Sequence, residues 1–410
     1  MMVMPSSPNS DFSLKSIAVA AFGPSILFGF SQGAMLPVIA ISAIDRGADV
    51  AVASLVVSML GIGSLVTNIP SGIITTRFGE RRSMVLAAGV SAVGLVLCLF
   101  QLGLVLFATG VFLVGAASSI FMLARQSYLT EAVPAHMRAR ALSTLGGVQR
   151  IGVFVGPFVT AGVIGIAGLD AAYTVALVAI VGAGFVAYLV PDLTQDPAPG
   201  AALPKKVTTI GMFREHWRTF VMLGTGILLL SAIRSTRQVV IPLWATHIGL
   251  DPAQSSIVYG IAGVVDAAIF YPAGYVMDRF GRKWIAVPCV LIMGASFVLM
   301  PLTHAAVSLT LVSVIMGFGN GIGSGIVNTL GSDASPAVGR PTFLGIWREL
   351  ADGGSAIGPL VLSLVTGLAG LAVGIVASGF VGFAAAAALA RWIPKRTPTI
   401  PLATSSSPRA

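Results

Sequence analysis

The sequence predicts an all-α integral membrane protein, with twelve transmembrane helices in two pseudo-symmetric six-helix bundles. Three observations carry that reading. The 410 residues are 56% hydrophobic and only 10% charged, with a mean hydropathy of +0.93, whereas soluble domains carry about 25% charged residues. The apolar residues fall into runs long enough to cross ~30 Å of hydrocarbon as helices, which takes about 20 residues each. An internal repeat recurs at a constant offset of 202 residues.

The uncharged runs lie near 17–42, 50–75, 83–101, 103–129, 141–168, 171–190, 217–246, 252–277, 284–302, 305–331, 342–368 and 370–392, each bounded by charge or turn residues. Membrane strands would need only ~10 alternating residues, and no run alternates for long. The opening residues lack a basic segment followed by a small-residue cleavage site, so the first span reads as retained. With both termini cytoplasmic, the inner connections hold Arg77, Arg81, Arg82, Arg138, Arg140, Lys205, Lys206, Arg279, Arg282, Lys283 and Arg340, and Arg46 alone lies outside. That asymmetry sets orientation. The formal charge of +9 then reflects topology and contact with anionic membrane lipids. No basic run is interleaved with aromatics, so nucleic acid is not an expected partner. Cys98 and Cys289 sit inside apolar runs and read as small buried hydrophobes.

The repeat is clearest where residues 70–81, from Pro70 to Arg81, recur as 272–283, from Pro272 to Lys283. Pro134 and Arg138 match Pro336 and Arg340 at the same offset, and Gly152, Gly156 and Pro157 match Gly354, Gly358 and Pro359. One offset across three landmarks argues for two homologous halves. The division is 1–190, a Pro-rich cytoplasmic linker at 191–216, and 217–410. Within the repeated loop, Gly72 and Gly274 would let neighbouring helices approach closely, while Gly79 and Gly281 suit a tight turn of positive φ. Asp278 at a helix end can accept backbone hydrogen bonds and attract Arg, making a latch that can break. In the fifth and eleventh spans, glycines four apart make a flat packing face, and the following proline frees a carbonyl and permits a bend.

Gly274, Asp278, Arg279, Gly281, Arg282 and Lys283 are similar to the Gly-x-x-x-Asp-Arg-x-Gly-Arg-Arg/Lys loop of the major facilitator superfamily, and the resemblance covers nearly the whole chain. In the first copy Gly72, Arg77, Gly79 and Arg81 match, but Thr76 stands where the family has the acid and Glu80 where it has a base. The resemblance implies that this loop gates the cytoplasmic side, with Glu80 or Glu131 substituting for the missing acid. Gly152-x-x-x-Gly156-Pro157 resembles the fifth-helix pattern of proton-coupled drug antiporters, although Thr160 and Ala161 replace its final glycine pair and Val111 stands near their usual fourth-helix arginine. The family likeness implies alternating access by two rocking bundles, a cavity lined by helices 1, 4, 7 and 10, and proton-coupled efflux of a drug-like or amphipathic molecule. The alternative is a proton-coupled importer of a small metabolite such as an organic acid.

Charges inside spans are costly in hydrocarbon and tend to face the bundle interior. Arg150, Arg234, Asp266 and Asp352 each lie about 15–22 Å from a presumed helix end, near one layer. Arg150 and Asp352 are equivalent under the repeat, which suggests an ion pair across the cavity. Arg348 and Asp352 share a helix face, with Glu349 about 100° away. Asp266, Asp352 and Glu349, with Arg150 and Arg348, are therefore the expected proton-coupling residues. Arg234 and Arg237, three apart, would repel unless a carboxylate or anionic substrate lay between them, and Gln32 is the repeat equivalent of Arg234. Arg125 sits about six residues before the end of the fourth span, placed either to line the cavity or to snorkel to the inner surface.

Catalysis finds little support. His136, His216, His247 and His304 are scattered over loops, no phosphate-binding loop is present, and no metal-ligand spacing occurs. The expected partners are a small-molecule substrate, protons and lipids, with no cofactor or metal, and the chain is expected to be a monomer in the cell membrane.

Overall fold

The computed structural model describes residues 18–101, 103–133, 138–190, 208–336 and 338–393, without the side chains of residues 18–21, 138–140, 143, 278 and 341. Helices α1 (Ala18–Met35) and α2 (Ile39–Asp45) together make the first span. It is followed by α3 (Val50–Phe78), α4 (Glu80–Leu99), α5 (Leu104–Ala132), α6 (Arg138–Ala167) and α7 (Ala171–Leu189). The short α8 (Thr209–Glu215) precedes α9 (Trp217–His247), α10 (Pro252–Phe280), α11 (Lys283–Leu299), α12 (Ala306–Ile322), α13 (Ile326–Ala334), α14 (Arg340–Ala369) and α15 (Leu371–Trp392). Among the described residues, twelve spans are long and apolar enough to cross a membrane.

The sequence repeat reappears in the backbone. Helices α3 and α10 begin and end 202 residues apart, as do α6 and α14. The turns that close them use paired glycines of positive φ, Gly47 with Gly249, Gly79 with Gly281 and Gly168 with Gly370. These are conformations that only glycine adopts without strain. Even the helix caps repeat, since Asp49 accepts from the Val52 amide at 2.7 Å and Asp251 from the Gln254 amide at 2.8 Å. Each satisfies an amide left free by the first helical turn.

In the first half α1 packs on α6 and α7, and α5 on α3 and α4; in the second, α9 packs on α14 and α15, and α10 on α12. The halves meet along two seams, α3 with α14 and α6 with α10. Glycine permits the tight pairs. A Cβ at Gly152 would overlap the Ile26 carbonyl oxygen, and one at Gly358 the Ala232 carbonyl oxygen. At the end opposite the Gly79 and Gly281 turns, the first half is clasped by Arg46. Its guanidinium donates to Asp170 at 3.0 Å and to the Cys98 carbonyl at 2.8 Å, and lies 4.5 Å from the Phe107 ring centre.

Several expectations need correction. The first span breaks at 36–38, where Pro37 lacks the amide a continuing helix requires. The tenth breaks at 323–325, within a run where Gly321, Gly323 and Gly325 alternate with other residues. Gly72 and Gly274 do not hold helices close: a Cβ at either meets nothing within 4 Å. The seams instead close toward the opposite end, where a Cβ at Gly61 would meet Ala356 and one at Gly260 would meet Phe158, and the Ser363 hydroxyl donates to the Ala51 carbonyl at 2.7 Å. Of the linker, 191–207 lies outside the described residues and 209–215 is helical.

Gly152→Leu or Gly358→Leu should therefore lower the thermal midpoint of the detergent-purified chain, since overpacking costs about 1–3 kcal/mol. Gly72→Ala and Gly274→Ala should leave it unchanged or slightly raised, as alanine is the better helix former.

Candidate functional site

Midway along the helices, three arginines gather around one carboxylate. Asp266 on α10 accepts from Arg237 of α9 at 3.4 Å and from the Asn320 amide of α12 at 2.5 Å, and pairs with Arg150 of α6 at 3.7 Å. Arg234, one turn before Arg237, donates to the Asn320 carbonyl at 3.4 Å, beside the break between α12 and α13. Arg150 also donates to Ser324 in that break at 2.7 Å, and its guanidinium stands 4.2 Å from the Phe270 ring centre. The Arg237 side chain is 8% exposed and that of Asp266 15%. Three guanidiniums against one carboxylate leave two positive charges unbalanced. An arginine at the bilayer centre costs about 2.5–3.5 kcal/mol or more, so the surplus positive charge favours a further anion beside the cluster.

A second polar group bridges the other seam. Asn68 of α3 donates to Asp352 of α14 at 2.6 Å and to Glu349 at 3.5 Å, and accepts from the Ser119 hydroxyl of α5. Arg348 pairs with Asp352 at 3.7 Å. The expected ion pair between Arg150 and Asp352 does not form. Residues related by the pseudo-symmetry lie on opposite seams, so Arg150 meets Asp266 and Phe270, while Asp352 meets Asn68. Positions 68 and 270 are themselves repeat equivalents, so one pair of positions bridges both seams by different chemistry, a charge-assisted hydrogen bond in one and a cation–π contact in the other.

Arg125 does not snorkel. It is 6% exposed and donates to Gln149 at 2.5 Å, which in turn donates to Gln32 at 3.3 Å. The other gate residues lie at the end with the Gly79 and Gly281 turns. There Thr76 bonds only carbonyls of its own helix, at Gly72 and Ile73. Glu80 instead accepts from Ser127 of α5 at 2.8 Å, and its repeat equivalent Arg282 pairs with Asp333 of α13 at 2.8 Å. Arg279 donates to the Tyr275 hydroxyl at 2.9 Å, Arg77 stacks on Phe78 and Arg81 on Tyr188. Lys283 opens α11, and the side chain of Asp278 lies outside the described residues. Pro157 and Pro359 are internal to α6 and α14, and Gly156 and Gly354 press on α1 and α9 as Gly152 and Gly358 do.

Sequence reasoning named the ions and overlooked the neutral groups that hold them, Asn68, Asn320, Gln149 and Ser324. Each is a polar residue inside an apolar span, and that is the signal by which it was findable. Among the described residues no three His, Cys, Asp or Glu side chains gather to hold a metal.

Among the described residues, twelve apolar spans in two related halves, with ionic groups buried where the halves meet, are the architecture of a multi-pass membrane protein, and the family match makes it a transporter and not an enzyme. The chain belongs to the Major Facilitator Superfamily, whose family model matches residues 22–348 and 223–409. It is 24% identical over 358 residues to the staphylopine export protein of Staphylococcus aureus, covering 84% of this chain and 88% of that protein. It is also 24% identical over 362 residues to the probable metabolite transport protein CsbC of Bacillus subtilis, covering 78% of this chain and 72% of that one. Among solved structures, a POT family transporter in complex with a thioalcohol-conjugated peptide superposes with a TM-score of 0.74 at 14% identity, over 91% of this chain and 95% of that one.

The Asn68 bridge ties the two halves in this conformation. Asn68→Ala should weaken that conformation by about 0.6–2 kcal/mol, the range for polar contacts between membrane helices. Spin labels placed on α3 and α14 near their Gly79 and Gly339 ends should report a larger share of the alternative distance, and an unchanged distribution would show that the bridge carries no conformational weight.

Proposed function

We propose that this chain is a secondary active transporter that carries a small organic anion together with a proton, by alternating access of its two bundles to a central chamber. The observation behind this reading is the sharing of the Asp266 carboxylate by Arg150 and Arg237 with Arg234 beside them. Ionised Asp266 occupies the guanidiniums that an incoming anion needs. A proton on Asp266 would free Arg150 and Arg237 for an incoming anion, and an anion seated on them would take the place of Asp266 as their counter-charge. Proton and anion therefore strengthen each other's binding, as linkage requires. Sites that fill together and empty together move both solutes in one direction.

With the basic Gly79 and Gly281 turns taken as cytoplasmic by the positive-inside asymmetry, and with the seams closed toward the opposite end, this conformation would release its load to the cytoplasm. Asp266 is the proton carrier in this reading, and Glu349 and Asp352 act through the Asn68 bridge on the balance between conformations. Domain boundaries at 190 and 217 make the two bundles the rocking bodies, and the protein acts as a monomer in the cell membrane with both termini cytoplasmic.

A second reading, proton-driven efflux of an amphipathic or drug-like molecule, is favoured by the Gly152–Pro157 packing pattern and by the relative named as an export protein. In that reading the substrate and the proton compete for one carboxylate, which suits a cationic substrate.

Liposomes loaded with a pH dye separate the two. On addition of succinate outside, the interior should acidify as proton and anion enter together, faster at lower external pH. Asp266→Asn should let the anion enter without its proton, so uptake persists and acidification is lost. Proton movement opposite to a lipophilic cation, with no response to succinate, would establish the efflux reading instead.

A further inference from the structure

Arg125 is a buried cation to which the coupling scheme assigns no task. It lies on α5, 6% exposed, with its Nη2 donating to Gln149 and its Nε and Nη1 buried without a hydrogen-bond partner. No carboxylate pairs with it among the described residues. Arginine keeps its proton in any protein environment, so an unpaired guanidinium here cannot relax by becoming neutral. Buried donors left unmade are expensive, so Nε and Nη1 of Arg125 call for an acceptor that the described residues do not supply.

The neighbourhood says what completes it. Gln149, which accepts from Arg125, directly precedes Arg150, which pairs with Asp266. The two cationic places therefore flank one turn of α6, about 100° apart around its axis. Gln149 and Gln32 are both half-buried, and the Gln149 amide donates to Gln32 at 3.3 Å. Free guanidinium N–H groups with adjacent carboxamides suit a planar carboxylate, which arginine grips through two parallel hydrogen bonds.

We propose that Arg125 is a second anion subsite of the chamber, reading a second carboxylate on the transported acid and so selecting dicarboxylates over monocarboxylates. This rests on the reading of the Asp266 cluster as an organic-anion site, which supplies the first carboxylate's position. A monocarboxylate satisfies only the Arg150 and Arg237 pair.

The test compares initial uptake of labelled propionate, succinate and glutarate by the full-length chain in liposomes, for the wild type, Arg125→Gln and Arg125→Lys. Size-exclusion profile and thermal midpoint check that each variant is folded. The wild type should prefer the better dicarboxylate over propionate by about tenfold or more, as expected for one charge-assisted contact. Arg125→Gln should bring succinate and glutarate uptake down to the level of propionate, and Arg125→Lys should restore part of the preference, since lysine keeps the charge but loses the fork. An Arg125→Gln chain that keeps the preference, or that loses uptake of all three acids in proportion, overturns the subsite and leaves the Asp266 reading standing. A wild type that takes up none of them with a proton overturns both.

Discussion

A guanidinium in hydrocarbon must be given a counter-charge by the protein, because it cannot shed its proton and has no water to solvate it. Arg150, Arg234 and Arg237 present that demand three times over at one level of the membrane, and Asp266 with Asn320 meets only part of it. The polar organisation of the centre follows from this shortfall. The break between α12 and α13 exposes the Asn320 carbonyl and the Ser324 hydroxyl as extra acceptors. Irregular backbone at membrane depth is tolerated where it lines a polar cavity, and here it does so beside the arginines.

Duplication supplies the frame, and departures from duplication supply the chemistry. Helix ends, turn glycines and caps repeat at 202 residues because each half must solve the same packing problem. Functional side chains do not repeat. Arg234 answers Gln32, Arg150 answers Asp352, and Phe270 answers Asn68, so the second half holds most of the charged chamber wall. Glu80 and Arg282 show the same divergence at the basic end, where one half latches through Ser127 and the other through Asp333. Two bundles with identical seams would have no built-in preference between conformations, whereas unlike seams can be biased separately by a proton or a ligand.

The spans, the repeat and the ions were legible in the sequence because each leaves a local mark: apolar length, fixed offset, or a charge where charge is expensive. Arg348 and Asp352 pair as their four-residue spacing indicates. What the chain did not disclose is who faces whom across elements. The equivalence of Arg150 and Asp352 suggested a pair, yet equivalent positions lie on opposite seams, and the true partners, Asp266 and Asn68, share no spacing signal with them. Arg125 looked able to reach the surface because its position near a helix end says nothing about the side on which Gln149 waits. Gly72 and Gly274 are small residues without a close neighbour in this conformation, since the ends that carry them are parted. A sequence encodes every conformation of a transporter at once, and one structure displays a single member.

The account stands on the claim that anion and proton bind together at the Asp266 cluster. Calorimetric titration of succinate into the purified chain, repeated in buffers of different ionisation enthalpy, counts the protons taken up with each anion. The account expects uptake approaching one proton per succinate bound near neutral pH, with affinity rising as pH falls. Zero proton uptake, or release of a proton on binding, would contradict it.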